Sequence, residues 1–327
     1  MGNAGNLEGL KLISTPTQEL LSFLDEWQRN TGTITAHTSG STGAPKDIKL
    51  SCQDMIMSAK ATCHYFGINE NSLLGLPLSV GFIAGKMMAV RAMTSGARLY
   101  IESPSNRPLS DWTGDKISLL AVVPTQIEFL VKSGKINFVD NLLIGGAPLQ
   151  PKQEQMLLDI NFTEAHVSYG MTETCSHVAL RRIGNEIYET LEGTSLSIDA
   201  RGCLCITTPN ADYSPVQTND LVDLIDKHHF IWKGRYDNVV ISGGIKFMPE
   251  VIERKIASVM QGRNYFMYGR RSDRWGQELV LAIEGEQEIP DLHNRLRSLL
   301  GGVEMPKAII YLKEFERTNG KIKRPRT

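Results

Sequence analysis

A run of small and hydroxyl-bearing residues near the start of the chain is the first candidate for chemistry. It reads "AHTSGSTGAPKDIKLS", from Ala36 to Ser51, and its centre has no large apolar side chain. Such a segment cannot build a core, but backbone N–H groups, hydroxyls and a lysine can together surround an anion, and glycine permits the turns required. The segment therefore predicts a phosphate-binding loop. Its candidate ligands are Thr38, Ser39, Gly40, Ser41, Thr42, Gly43 and Lys46.

Two better-known phosphate loops do not fit this segment, and a flexible linker remains the alternative. The Walker pattern G-x-x-x-x-G-K-[ST] fails because Pro45 stands where its second glycine belongs and Asp47 follows Lys46. The dinucleotide pattern G-x-G-x-x-G does not occur in the segment. A Ser/Gly-rich linker has the same composition. The alternating "DIKLS" at the end of the segment predicts a β-strand and favours the loop.

The middle of the chain predicts a parallel sheet covered by helices. The apolar runs "KISLLAVVP", "NLLIGGAPL" and "EAHVSYG" are typical of buried strands, and "TQIEFLVKSG" and "QPKQEQMLLDI" between them have helical periodicity. Strands that alternate with helices in this way favour a doubly wound α/β fold. Ligands of such sheets lie at the carboxyl ends of the strands, so we expect "IGGAPL" and "SYGMTET" to share a pocket with the phosphate loop.

The pattern changes after "WKGRYDN", which indicates a domain boundary. Beyond it we predict a helix in "PEVIERKIASVM", a strand in "ELVLAIEG", a helix in "IPDLHNRLRSLL" and a strand in "KAIIYLKEF". This suits a compact α+β domain of about 90 residues. The predicted domains are therefore 1–235 and 236–327.

Composition narrows the functional class. The chain has 327 residues, 41% of them hydrophobic and 22% charged, and its net charge of −1 gives no basic field for nucleic acid. The five cysteines are scattered; Cys203 and Cys205 fit one face of a strand and lack partners at metal-ligand spacing. The N-terminus does not resemble a signal peptide, and no apolar run approaches the roughly 20 residues of a membrane span. We expect a cytoplasmic protein with small-molecule substrates and neither a nucleic-acid nor a membrane partner.

Four stretches resemble the signature motifs of one enzyme superfamily. They are "TSGSTGAPK", "YGMTET" at Tyr169–Thr174, "GRYDNVVISGGIKFMPEVIE" at Gly234–Glu253, and "RTNGKIKR" at Arg317–Arg324. Their order is that of the adenylate-forming superfamily of AMP-forming acyl-CoA synthetases. The resemblance implies an α/β fold: a large N-terminal layered domain with mostly parallel sheets and a small, mobile C-terminal α+β domain with a catalytic lysine. Only 37 residues precede the loop, so we expect part of the family's large domain to be missing.

The resemblance also implies co-substrates and a role for each motif residue. ATP and Mg²⁺ would convert a carboxylic acid into an acyl-AMP, and coenzyme A (CoA) would then accept the acyl group. Thr172 would contact the α-phosphate, Glu173 would bind Mg²⁺, and Lys321 would bridge the acid and the α-phosphate. The other implied residues are the adenine wall Gly145, Gly146, Ala147 and Pro148, the motif residues Tyr169, Gly170 and Met171, the ribose contacts Asp220 and Arg235, the hinge Asp237, and the CoA-side glycines Gly243 and Gly244.

Within the superfamily, "YGMTETCSHVALR" and the compact chain are most similar to the o-succinylbenzoate–CoA ligases of menaquinone biosynthesis. That acid has a second carboxylate remote from the reaction, which needs cationic or hydrogen-bonding partners. His177 and Arg181 are four residues apart, and we expect them on one face of their element. Lys86 and Arg91 are further candidates, about 140° apart on a helical wheel, so that one of them would face the pocket.

Two alternatives and two departures from the family pattern accompany this interpretation. An adenylating ligase for another aryl or acyl carboxylate, or one that delivers the acyl group to a carrier-protein pantetheine, would keep the same ATP motifs. A non-catalytic nucleotide sensor would not require Lys321. Asn219 replaces the glycine usual before Asp220, and Val80 stands after "LPLS" where relatives often have an aromatic residue or histidine.

Overall fold

A computed structural model describes residues 6–7, 9–29, 32–37, 47–161, 163–209, 215–318 and 321–325. Its contacts divide the chain into two compact units. The first comprises residues 1–195 and 207–216, and the second comprises 196–206 and 217–327. The predicted boundary after residue 235 falls inside the second unit and stays a prediction.

The first unit is built on a sheet whose central strands are parallel. Neighbouring parallel strands are separated in the sequence by at least one helix, which provides the crossover that parallel pairing requires. The strands of this unit are β1 (Asn6–Leu7), β2 (Leu10–Leu12), β3 (Thr33–His37), β4 (Asp47–Ser51), β5 (Leu73–Leu76), β6 (Arg98–Ile101), β7 (Leu119–Val122), β8 (Asn141–Ile144), β9 (Glu164–Gly170), β10 (His177–Arg182) and β11 (Ile187–Thr190).

The sheet runs in the order β1-β2-β6-β5-β7-β8-β9-β10-β11. Pairing is parallel from β2 through β9 and antiparallel at the two ends, between β1 and β2 and from β9 to β11. The predicted α/β class with a mostly parallel sheet is confirmed. A separate hairpin joins β3 and β4 in antiparallel register, up to the pair His37 and Asp47.

Alternate residues of the central strands enter two different cores, which explains the continuous apolar runs in the sequence. In β7, Leu119 and Ala121 join the core formed with the helices preceding the strand, whereas Leu120 and Val122 join the core formed with the helices that follow it. A strand buried on both faces needs apolar side chains at every position. The predicted strands at "LLAVV" and "NLLI" are therefore confirmed.

Residues that favour helix termini cap several helices of the first unit. Thr17 and Ser51 accept hydrogen bonds from backbone N–H groups of the first turns of α1 and α2, and Gly96 ends α3 in a left-handed conformation. No helix within the described ranges is long and apolar enough to cross a bilayer. The helices of the first unit are α1 (Gln18–Gln28), α2 (Cys52–Tyr65), α3 (Ile83–Ser95), α4 (Pro124–Lys132) and α5 (Pro151–Leu158).

The second unit combines an antiparallel meander with a small α+β module. The meander order is β15-β14-β13-β12; in the module, β17, β16, β19 and β18 form a sheet to which β20 adds in parallel. The elements are β12 (Ser195–Ile198), β13 (Cys203–Thr207), β14 (Val216–Leu224), β15 (His229–Arg235), β16 (Val240–Ser242), β17 (Ile245–Phe247), α6 (Pro249–Ile256), β18 (Tyr265–Ser272), β19 (Gly276–Glu284), α7 (Leu292–Leu299), β20 (Ala308–Leu312), β21 (Arg317–Thr318) and β22 (Lys321–Ile322).

The module has a core on each face of its sheet. Met267 and Leu281 pack with α6 and α7 on one face, and their neighbours Phe266 and Ala282 pack with Phe315 on the other. Alternation along β18 and β19 produces this division because successive strand side chains point to opposite faces. The helices and strands predicted for this part of the sequence are confirmed.

Candidate active site

The carboxyl ends of β8 and β9 lie side by side, as the sequence predicts for the two motifs that follow them. Ile144 pairs with Val167 in parallel register, so the glycines after β8 lie beside the end of β9. A Cβ atom on Gly145 would lie 2.6 Å from Ser168 Oγ, and Gly146 has a φ of +82°. These two positions therefore favour glycine, and the wall predicted at Gly145–Pro148 begins with backbone in close approach.

A short turn after β9 presents Thr172 and Glu173. The Thr174 hydroxyl fixes this turn: it accepts from the Met171 N–H at 3.0 Å and is 2.7 Å from the Ser176 carbonyl oxygen. Thr172 is half-buried and Glu173 is exposed. Glu173 forms no ion pair with any residue that the structure describes. Its carboxylate oxygens are thus available for a hard cation.

One other motif position, Gly170, is constrained by its surroundings. Gly170, beside Tyr169, has no room for a Cβ, because that atom would overlap the backbone of Ser176 and His177. The predicted phosphate loop, Thr38–Lys46, lies outside the described residues. The ends of β3 and β4, between which it falls in the sequence, are paired to one another.

The second unit pairs the two predicted ribose contacts. Asp220 on β14 is directly opposite Arg235 on β15, with Arg235 Nη1 3.6 Å from Asp220 Oδ1. Trp232 Nε1 also donates to Asp220 Oδ1 at 3.2 Å. The Asp220 side chain is buried and oriented by these groups. Trp232 was not identified from the sequence, since its partner is set by strand register.

Asp237 lies in the turn that follows β15 and has two partners of its own. Arg235 Nη2 donates to Asp237 Oδ2 at 3.3 Å, and Asn219 Nδ2 donates to the same oxygen at 3.2 Å. Asn219 in turn accepts a bond of 2.8 Å from Arg201 Nη1. The asparagine that departs from the family pattern is therefore tied to the predicted hinge residue.

The remaining predicted residues of the second unit are in turns and short strands. Gly243 and Gly244 join β16 to β17 with φ of +57° and +80°, and the Trp275 ring leaves no space for a Cβ on Gly243. Lys321 begins β22, whose backbone pairs with β21 through Thr318 and Lys321. The predicted roles of these residues stay predictions.

A buried cation in the first unit is the least expected feature of the structure. Arg91 on α3 is 2% exposed and forms no ion pair with any carboxylate in the described ranges. Its Nη2 donates to Ser176 Oγ at 3.3 Å and lies 3.4 Å from His177 Nδ1. Nη1 contacts Met88 Sδ at 3.4 Å, and Nε has no hydrogen-bond partner among the described groups. Burial lowers the pKa of Arg91 to about 10, so the guanidinium is charged at neutral pH.

The contacts of His177 define its protonation. Burial, and then the charge of Arg91, lower the pKa of His177 well below 6.5, so the ring is neutral at pH 7. Its Nδ1 must accept from Arg91, which places the proton on Nε2, 3.2 Å from Thr62 Oγ1. Thr62 itself donates to the Ser58 carbonyl oxygen at 3.0 Å, so its oxygen can accept from the ring. The neutral imidazole therefore leaves the positive charge of Arg91 uncompensated.

The expectation that His177 and Arg181 share one face is wrong. A β-bulge between His177 and Ala179 inserts one residue into β10 and reverses the alternation of side chains. His177 consequently faces α2 and α3, whereas Arg181 reaches α5 and binds both oxygens of Glu154, at 2.7 and 3.3 Å. The Arg181 cation is thus neutralised within the protein.

Lys86 and Arg91 point in different directions along α3, as their separation on a helical wheel indicates. Lys86 Nζ lies 3.8 Å from Glu26 Oε2 and 4.8 Å from the centre of the Phe23 ring, both on α1. Burial lowers the pKa of Lys86, and Glu26 opposes that shift. Of the four predicted acid-binding residues, the structure brings together His177 and Arg91 and leaves Lys86 and Arg181 beside carboxylates.

Three hydroxyl groups around Arg91 were not identified from the sequence. Ser176 accepts from Arg91, Ser58 lies 2.8 Å from Ser176 between their Oγ atoms, and Thr62 bonds to His177. Ser58 and Thr62 are spaced four apart on α2, a polar stripe in a helix that packs against α3. The four-residue spacing of Ser58 and Thr62 was the feature of the sequence from which these hydroxyl groups could have been predicted.

Comparison with known proteins places the fold. The AMP-binding enzyme family model matches residues 23–199. A 2-succinylbenzoate–CoA ligase of Listeria monocytogenes is 25% identical over 338 residues, which cover 94% of this chain and 72% of the relative.

Solved structures agree. An acyl-CoA synthetase (AMP-forming)/AMP-acid ligase II-like protein from Dyadobacter fermentans is 33% identical with a TM-score of 0.65, over 94% of this chain and 93% of that chain. The o-succinylbenzoate coenzyme A synthetase of Bacillus subtilis, in complex with ATP and magnesium ion, shares the fold at 19% identity with a TM-score of 0.76, over 89% and 68% of the chains. Since the family model spans more than half of the sequence, this chain belongs to the AMP-binding enzymes, the adenylate-forming superfamily.

Proposed function

We propose that the protein joins a carboxylic acid to CoA through an acyl-AMP, and that the acid is o-succinylbenzoate, on the route to menaquinone in the cytoplasm. Two observations from comparison support this proposal: the family match and the activity named for the Listeria relative. The observation that carries the choice of acid is the uncompensated charge of Arg91, beside the strand that follows the Thr172 turn.

The first step must bring two anions together. A carboxylate oxygen attacks the α-phosphorus of ATP, forming one P–O bond and breaking the bond to pyrophosphate. Repulsion between unit charges at ~4 Å amounts to about 4 kcal/mol at an effective dielectric constant of ~20. The protein therefore has to supply cations and oriented donors at the reacting oxygens. We assign this work to Thr38–Lys46 for the β- and γ-phosphates, Thr172 for the α-phosphate, and Lys321 between the acid and the α-phosphate.

Glu173 fits the magnesium role. Its carboxylate is exposed on a turn and has no cationic partner in the described part of the chain. The described residues contain no cluster of three or more metal-ligating side chains. A single carboxylate together with nucleotide phosphates is how Mg²⁺ is commonly held. When bound there, the ion would neutralise phosphate charge.

The geometry of β14 and β15 supports the proposed contacts with the nucleotide. Asp220, oriented by Trp232 and Arg235, would accept hydrogen bonds from the ribose hydroxyls. The close-packed backbone from Gly145 to Pro148 would lie against the adenine. In the second step the CoA sulfur attacks the acyl carbon, AMP leaves, and a thioester forms; the turn at Gly243 and Gly244 would face the CoA.

We assign the selectivity of the protein for its acid substrate to Arg91 and its neighbours. We assign the remote carboxylate to the guanidinium, with Ser176 as a second donor. A buried cation with unused donor capacity gains strongly from a bound carboxylate, because the charge is otherwise desolvated without compensation. Neutral His177 would hold the guanidinium in place through Nδ1. A monocarboxylic acid would leave this cation unpaired.

ATP–pyrophosphate exchange with a panel of acids tests the proposal. We expect exchange with o-succinylbenzoate and little with benzoate or short aliphatic acids. Lys321→Ala should lower acyl-AMP formation by roughly 100-fold or more while ATP affinity changes far less, since the lysine acts on transition-state charge. Lack of exchange with every acid offered would refute the adenylation step.

The acyl acceptor needs its own assay. Incubation of the preformed acyl-AMP with CoA or with a phosphopantetheinylated carrier protein separates the two acceptors, because the ATP motifs are common to both. We expect the thioester to form with free CoA. Formation with the carrier protein alone would assign the chain to a different group of ligases.

A further inference from the structure

The segment that carries Lys321 contacts a largely buried ion cluster that none of the predicted roles uses. Arg324 follows Lys321 closely, just after β22 ends, and its guanidinium binds both oxygens of Glu253 on α6, with Nη1–Oε1 and Nη2–Oε2 distances of 2.7 and 2.8 Å. Arg324 Nη1 also donates to the Met267 carbonyl oxygen at 3.3 Å. Glu253 completes the cluster by accepting from the Met267 N–H at 2.6 Å. A bidentate pair of this kind fixes orientation as well as distance.

A second carboxylate extends the cluster to the predicted hinge. Glu250 Oε1 lies 3.7 Å from Arg324 Nη1 and accepts from Asn238 Nδ2 at 2.5 Å. Asn238 directly follows Asp237 in the turn after β15. The glutamates are nearly inaccessible, with side-chain exposures of 8% for Glu250 and 13% for Glu253. A continuous polar connection therefore runs from the hinge turn through α6 to the segment that carries the lysine.

Apart from the backbone pairing of β22 with β21, the other side-chain contacts of this segment are weaker. Ile322 packs beside the small core of Phe266 and Phe315, and Lys323 forms an exposed pair with Glu316 at 3.1 Å. An exposed pair of this type contributes at most about 1 kcal/mol. Backbone pairing joins β22 to β21, and Arg324 is the side chain that ties this hairpin to α6.

We propose that Arg324 is a positioning residue: through Glu253 and Glu250 it holds the strand of Lys321 in a fixed relation to the hinge turn at Asp237. This inference rests on the proposed role of Lys321 in adenylation. Burial acts to lower the pKa of Arg324, but the carboxylates of Glu253 and Glu250 outweigh it and raise the pKa, so the cluster contains a charged guanidinium. The lysine and the hinge turn would then move as one body.

The test measures the two half-reactions separately in Arg324→Lys and Arg324→Met, with Lys323→Met as the matched control on the same segment. Because a misplacement of about 1 Å can cost roughly 100-fold in rate, we expect acyl-AMP formation to fall about 10-fold in Arg324→Lys and about 100-fold in Arg324→Met. The KM for ATP and the rate of thioester formation from preformed acyl-AMP should not change. Lys323→Met should behave as the wild type.

A double variant separates positioning from general stability. In the Lys321→Ala background, Arg324→Lys should cause no further loss of adenylation, because the group that it positions is gone. An equal fall of both half-reactions in Arg324→Lys, or an added loss in the double variant, would overturn the inference. If Arg324→Met does not fold, Arg324→Lys decides the question.

Hydrogen exchange tests the positioning role of Arg324 independently of the proposed role of Lys321 in adenylation. Arg324→Lys should accelerate amide exchange in residues 321–324 and in the turn at Asn238, with the first unit unaffected. Normal adenylation by Lys321→Ala would refute the role of the lysine whatever the exchange result. Unchanged exchange together with unchanged adenylation in Arg324→Lys would refute the positioning role of Arg324.

Discussion

Arg91 in the first unit is buried and Arg324 in the second is half-buried, and the surroundings of the two guanidinium groups differ. Arg324 is bound by the carboxylate of Glu253 and lies near that of Glu250. Arg91 is surrounded by a serine, a neutral histidine and a thioether, with no carboxylate among the described residues within ion-pair distance. A buried charge is costly unless it is paired. We therefore infer a structural role for Arg324, whose charge is paired, and a role in binding an anionic ligand for Arg91, whose charge is not.

Stability offers the largest contrast. Arg324→Met leaves two buried carboxylates without their cation, so we expect the free energy of unfolding of the second unit to fall by about 3–5 kcal/mol. Arg91→Met leaves no carboxylate behind and should change the free energy of unfolding of the first unit by less than about 1 kcal/mol, in either direction. Urea unfolding followed by circular dichroism measures both. Similar losses in the two variants would end the comparison.

Substrate selectivity should show the opposite order. Removing a charge-assisted pair worth about 2–3 kcal/mol should lower kcat/KM for o-succinylbenzoate by roughly 30- to 150-fold in Arg91→Met. The value for benzoate should be unaffected, since that acid has no second carboxylate. Arg181→Met is the matched comparison: Glu154 already neutralises this arginine, so its selectivity should stay that of the wild type. A selective loss in Arg181→Met, with Arg91→Met normal, would show that the wrong arginine has been assigned.

The neutral state of His177 predicts a dependence of stability on pH. The pKa of His177 is well below 6.5 in the folded protein. As the pH falls below 6.5, this histidine therefore binds a proton in the unfolded chain but not in the folded chain. Stability should therefore fall with decreasing pH below 6.5, with a contribution of up to about 1.4 kcal/mol per pH unit from this group. His177→Asn should flatten the curve between pH 6.5 and 5, and substitution of the exposed His293 by Asn should not. Parallel curves for wild type and His177→Asn would mean that the imidazole is protonated in place.

The smallest effect concerns the ion pair between Arg317, on β21, and Glu284. The Arg317 guanidinium, 2.8 Å away, lowers the pKa of Glu284 to about 2, a depressed value for an acid. Its stabilisation is present above pH 4.5 and is lost as the pH falls towards 2. We expect Glu284→Gln to lose about 1 kcal/mol at neutral pH and nothing at pH 2, with Glu286→Gln as the exposed control. Acid titration of the melting temperature measures the difference, and a constant offset at all pH values would exclude the electrostatic cause.

The sequence predicts the elements well and the pairs poorly. Continuous apolar runs such as "LLAVV" are diagnostic because a strand buried on both faces leaves no polar position. Partners distant in sequence leave no such pattern: Glu154 neutralises Arg181, and Glu253 binds Arg324, through contacts set only when helices dock. Spacing could not predict the side of the sheet that His177 faces, since a bulge depends on pairing between strands.

The bulge at the start of β10 has a consequence for how such an enzyme can change. One inserted residue sends His177 towards the cation and Arg181 towards a purely structural partner, although both belong to a single short strand. If the proposed role of Arg91 is correct, substitutions of His177 should change which acids are accepted, while the helices on the opposite face keep their packing. Deletion of the inserted residue would restore regular pairing between β10 and β9 and leave His177 and Arg181, then three residues apart, on opposite faces, whereas insertion of one more residue between them would move one of them to the other face.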